Sequence, residues 1–179
     1  PDSAKLVKIL TSNALLRSIA LKMCQSNAQT ELMSGVTTLR AVGGVQNMDT
    51  TIRDRINSGA IPGPRIFAAN MAVSVPGGHM AGSLAYEARS ADEAVEYVRK
   101  IAEDRPDMIK LMITGGVLDA KVRGEPGVLK MPPEYVRACC DEAHKLGFKV
   151  AAHVESPEGV RVALENGVPD PAVAEEAAP

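Results

Sequence analysis

Residues 108–113 (MIKLMI) are apolar apart from one lysine, and the run closes on Gly115-Gly116. Such a run reads as a strand buried on both faces. A second one, residues 148–154 (FKVAAHV), carries His153 near its C-terminal end. The two are separated by about 40 residues, the chain length that a β-α-β step takes. No other feature limits the fold as strongly, because it demands parallel strands covered by helices. Lys110 is the awkward member. A buried, unpaired ammonium costs several kcal/mol, so the group has to pair, lose its proton or be chemically modified.

The remaining sequence fits the same plan. Asp2 or Ser3 caps a short helix ending at Leu10. Ser12 or Asn13 caps a long one over residues 14–33, where Leu15, Leu16, Ile19, Ala20, Met23, Ala28 and Leu32 recur at helical spacing. Residues 36–40 form a β-branched strand, and Gly43-Gly44 turns the chain. Asp49 caps a helix over 50–58, and residues 65–69 make the next strand. Residues 70–86 are expected as a long loop around Pro76-Gly77-Gly78-His79. Ser90 and Glu93 form a capping box for a helix reaching about residue 103. Pro132 and Pro133 open another helix, and Ser156-Pro157-Glu158 the last. The alternation predicts an α/β fold with right-handed crossovers. Residues 1–168 are expected to form one structural unit, and 169–179, rich in Ala, Glu and Pro, a tail or misplaced segment.

Composition narrows the class. Aromatic residues are 3% of the 179 and Trp is absent, so the core must be aliphatic. A net charge of −2 leaves no footprint for nucleic acid or an anionic membrane. No apolar run approaches the roughly 18 residues of a membrane span. Cys24, Cys139 and Cys140 show no metal-finger spacing and read as reduced helix thiols. With no basic-then-apolar leader at the start, a cytoplasmic protein is expected.

The chemistry-bearing residues fall after strands: Arg40, His79, Lys110, Thr114 and His153. In α/β folds that edge carries active sites. Each residue also has a plainer reading. Lys110 can snorkel its head into a cleft. His153 can be a neutral core histidine, and His79 can fill a turn. His144 suits the exposed C-terminal turn of a helix. Gly43-Gly44 and Gly115-Gly116 match no phosphate-loop or dinucleotide fingerprint and read as tight turns. Glu155 and Glu158 are assigned to the start of the last helix.

Together the motifs resemble the amidohydrolase superfamily, in its imidazolonepropionase-like and prolidase-like branch. Residues 33–44 (MSGVTTLRAVGG) are similar to the strand-two segment usually written GVTTVRDLGG. The likeness continues through 52–59, Gly63-Pro64-Arg65-Ile66, Pro76-Gly77-Gly78-His79, Ile109-Lys110, Thr114-Gly115-Gly116, 143–147 and Ala152-His153. The resemblance implies a (β/α)8 TIM barrel of which strands two to five are present. It implies two divalent metal ions, zinc by preference, bridged by a carboxylated Lys110 and bound by His153. A metal-activated water would hydrolyse amide or peptide bonds of small molecules such as dipeptides. Lys110 and His153 would be catalytic and metal-binding; His79, Arg40 and Thr114 would meet substrate. The family's His-x-His pair is absent from this sequence, and Pro169-Asp170-Pro171-Ala172 stands where a further histidine is expected. The isolated chain is therefore expected to be inactive. Two alternatives stand beside this reading: a non-catalytic α/β binding module, and a relic that needs a partner to complete the barrel and self-associates through its open edges.

Overall fold

The computed structural model describes residues 3–118, 120 and 122–168; the expected tail at 169–179 and the capping role of Asp2 lie outside the described residues. The order is α1 (Ser3–Leu10), α2 (Ala14–Met33), β1 (Thr38–Ala41), α3 (Met48–Asn57), β2 (Arg65–Ala68), β3 (Ala72–Ser74), β4 (Ala85–Glu87), α4 (Ala91–Glu103), β5 (Met108–Met112), α5 (Pro133–Lys145), β6 (Lys149–His153) and α6 (Pro157–Glu165). All pairings between these strands are parallel. β1 pairs with β2, and a second sheet runs β4-β3-β5-β6.

The helix boundaries follow their caps. Asn13 Oδ1 accepts from Leu16 N–H at 2.9 Å. Ser90 Oγ accepts from Glu93 N–H at 3.1 Å, while Glu93 Oε2 accepts from Arg89 N–H at 2.7 Å. Ser156 Oγ accepts from Gly159 N–H at 3.1 Å. Each bond satisfies one of the orphan donors that a helix N-terminus leaves. Asp49 departs from expectation. Helix α3 starts earlier, at Met48, so Asp49 sits inside the first turn instead of capping it.

The expected loop at 70–86 contains two short strands. They form because Asn70 bends the chain without leaving its backbone groups unpaired. Its φ is +61°, a region that asparagine tolerates better than most residues. Its side-chain carbonyl accepts from Thr50 N–H and its amide donates to Thr50 Oγ1, both at 3.1 Å. Its backbone carbonyl accepts from Gly44 N–H at 2.8 Å. The bend ends β2 and redirects the chain as β3, which meets β5 at Val73 opposite Leu111. Below the bend, Asp107 N–H donates to Ala68 O at 2.7 Å, so β2 also leans on the start of β5.

Strand alternation divides the residues between two sides. Ile109, Leu111, Ile113, Val150, Ala152 and Val154 pack outward with Val98, Val136, Cys139 and Ala163 of the helices into the main core. Burying such a side chain is worth about 1.5–3 kcal/mol, so this layer dominates stability. Ala28, Ile52, Ile66 and Ala68 form a second core beneath α2 and α3. The opposite side of the sheet carries Met108, Lys110 and Met112, in register with Lys149, Ala151 and His153. Among the described residues, no helix is long and apolar enough to cross a membrane.

Candidate active site

Lys110 and His153 reach one cavity from neighbouring strands. Lys110 stands opposite Ala151 in the β5–β6 register, and His153 opposite Met112. The two are therefore diagonal neighbours on one face, a spacing that long side chains bridge. The cavity, of about 320 Å³, is lined by Val42, His79, Lys110, Met112, Val117, Leu118, His153 and Glu155. Lys110 is 3% exposed and His153 7%.

His79 comes from the loop between β3 and β4, and its ring stacks on that of His153 with centroids 4.1 Å apart and planes 20° from parallel. Its backbone carbonyl accepts from Ser74 Oγ at 3.1 Å. Gly116 makes room for it: a Cβ there would come within 2.1 Å of His79 Nδ1. Gly115 is equally confined, since its Cβ would lie 2.7 Å from Glu125 O. The Gly-Gly pair is thus a close-packed turn under the site. Gly43-Gly44 serves similarly, with a Cβ on Gly44 falling 2.2 Å from Asp49 Oδ2.

Thr114 is fully buried and does not line the cavity. Its hydroxyl donates to Gly115 O and accepts from Glu155 N–H, each at 3.0 Å. It braces the turns after β5 and β6. Arg40 is not brought to this cavity. It lines another, of about 300 Å³, with Phe67, Asp107, Met108, Lys149, Val150 and Ala151 toward the other end of the strands. His144 is exposed near the end of α5.

Glu155 is the residue that sequence reasoning placed elsewhere. Ser156 and Glu158 serve the start of α6. Glu155 instead lines the cavity, with Oε1 3.2 Å from His153 Nε2. The same ring nitrogen lies 3.2 Å from Gly115 O. Two-residue alternation from His153 onward was the available signal, because it carries Glu155 to the same face.

The donor set is short for a binuclear centre. Among the described residues, no three His, Cys, Asp or Glu side chains converge to hold a cation. Lys110, once carboxylated, and His153 fit as two of its ligands.

The Amidohydrolase family profile matches residues 17–172. The chain belongs to the amidohydrolase family. Solved structures agree. A proposed prolidase of Bifidobacterium longum is 41% identical, with a TM-score of 0.71 over 84% of this chain and 36% of its own. A Xaa-Pro dipeptidase with methionine bound in its active site is 32% identical, with a TM-score of 0.75 over 85% and 40%. A prolidase complexed with N-methylphosphonate-L-proline is 22% identical and shares the fold, with a TM-score of 0.75 over 94% and 43%. No curated protein matches the chain. The chain spans about two-fifths of the length of these solved relatives. Its architecture is accordingly part of a TIM barrel, with β1, the bent β2–β3 pair, β5 and β6 as the strands expected to be two to five.

Proposed function

We propose that this chain is the central part of a metal-dependent amidohydrolase that cleaves amide or peptide bonds of small substrates, dipeptides foremost. The observation that carries the reading is the meeting of buried Lys110 with His153 in one cavity at the C-terminal strand edge. The prolidase and Xaa-Pro dipeptidase neighbours support the substrate class.

Neutral Lys110 Nζ attacks carbon dioxide; the new N–C bond leaves a carbamate, and the amine proton passes to solvent. The carbamate would be an anion with two oxygens in place of the amine nitrogen. His153 offers a ring nitrogen beside it. Lys110, once carboxylated, and His153 would hold divalent metal, zinc by preference, which when bound would supply Lewis acidity for a scissile carbonyl and a water. The protein's own groups do the rest. Val42 and Met112 give the cavity an apolar wall, and the exposed Val117 and Leu118 at its mouth offer apolar contact to a substrate side chain. His79 presents ring nitrogens to a substrate carboxylate or carbonyl.

Free thiols at Cys24, Cys139 and Cys140 fit a reducing, cytoplasmic setting. Among the described residues, β1 pairs only with β2 and β6 only with β5, so both ends of the strand array are open to a further strand or a second copy. Self-association, read by sedimentation, is part of the proposal.

The direct test is carbon-13 NMR of the protein in labelled bicarbonate with Zn²⁺, together with metal analysis. A carbamate resonance that disappears in Lys110→Ala, with zinc bound to the protein, supports the hydrolase. Neither carbamate nor zinc leaves a bare α/β module.

A further inference from the structure

We infer that Glu155 is a direct metal ligand, completing a Lys110–His153–Glu155 donor set within this chain. The inference rests on the proposed function and adds a ligand that the family's pattern does not supply.

The geometry begins with the backbone. His153 and Glu155 are two residues apart, and Val154 between them is buried in the outer core. Both side chains therefore emerge on the cavity side. Glu155 does not hang loosely there. Its backbone N–H is held by Thr114 Oγ1 at 3.0 Å, and its side chain is 13% exposed. Carboxylate Oε1 and imidazole Nε2 stand 3.2 Å apart. Two ligands of one zinc-like cation, each about 2.0–2.2 Å from it, lie this far apart when the angle at the cation is about 100°. That value falls between octahedral and tetrahedral. The pair needs little rearrangement to share a cation.

The alternative occupant of Nε2 is Gly115 O, at the same 3.2 Å. A backbone carbonyl fixes a ring but adds no charge. A carboxylate does, and a carboxylated Lys110, His153 and Glu155 would together offer a divalent ion two anionic ligands and one neutral one. That mixture of oxygen and nitrogen suits zinc, cobalt or manganese.

The test titrates the protein with Co²⁺ alone in bicarbonate buffer, following heat and the visible ligand-field spectrum. Wild type is compared with Glu155→Gln and Glu155→Asp. Wild type is expected to bind. Glu155→Gln should weaken binding by at least the ~10–100-fold that loss of even an outer-sphere partner costs, and its spectrum should shift; Glu155→Asp should fall between. To guard against a variant that folds poorly, wild type labelled with carbon-13 at glutamate is examined as the cobalt complex. A Glu155 carboxyl resonance displaced far outside the diamagnetic range supports ligation. Unchanged affinity in Glu155→Gln, or weaker binding with an unchanged spectrum, overturns the inference while leaving the hydrolase reading in place. Failure of wild type to bind Co²⁺ overturns both.

Discussion

The rings of His79 and His153 lie stacked, 4.1 Å between centroids, although 74 positions separate them in the chain. The contact joins the loop after β3 to the end of β6. It exists because Gly116, on the turn after β5, has no side chain to occupy the same space.

Gly116→Ala therefore tests the stack. Its Cβ would overlap the His79 ring, so the ring must leave His153. The imidazole proton resonances of both histidines should move. In a complete enzyme, KM should rise about tenfold with a smaller change in kcat, since a pocket contact would be lost instead of a group acting on the reacting bond. Unmoved histidine resonances would show that the stack does not need Gly116.

Thr114→Val keeps the shape and removes the hydroxyl. The Glu155 N–H then loses its partner, while the Gly115 carbonyl keeps only the His153 ring nitrogen 3.2 Å away. Leaving that donor unsatisfied costs about 1–3 kcal/mol, so urea unfolding should show a loss in that range. Thr114→Ser should recover most of it. A variant as stable as wild type would remove the bracing role.

Asp49 predicts a pH dependence. Burial raises its carboxyl from 3.8 to about 6, opposed by a hydrogen bond from the Asn70 backbone. Its Oδ2 has no hydrogen-bond partner. The folded protein thus holds this proton more tightly than the unfolded chain does. The contribution is fully present below pH 3.8 and is lost as pH rises through about 6. Asp49→Asn cannot ionise and should be more stable than wild type at pH 8 by up to about 3 kcal/mol. The advantage should vanish near pH 4. Denaturant melts at the two pH values measure it.

Lys110→Ala in a complete barrel should reduce hydrolysis to background, with partial rescue by short carboxylates that occupy the carbamate's place. Full activity in that variant would remove Lys110 from the mechanism.

Much of this was legible in the residues. The apolar runs around Lys110 and His153 had to be paired strands, because both are closed by turns and separated by a helix-sized crossover. Caps at Asn13, Ser90 and Ser156 carry their own hydrogen-bonding logic, which is local. Glu155 and Asn70 were harder. A glutamate before a Ser-Pro helix start has an adequate local explanation. Nothing local reveals that strand alternation continues past His153 and turns it into the cavity. Asn70 likewise reads as ordinary loop until Thr50 and Gly44 are brought against it.

By itself the sequence determined the period of each element, the parallel arrangement, and the presence of an amine and an imidazole at strand ends, since these follow from short-range sterics and apolar patterning. Only the tertiary structure decided that Lys110 and His153 share a cavity with His79 and Glu155, that Thr114 braces the floor and that Arg40 lies elsewhere. Those outcomes depend on strand register and on the bend at Asn70. Register is a long-range property: one slipped residue would turn both Lys110 and His153 to the wrong face.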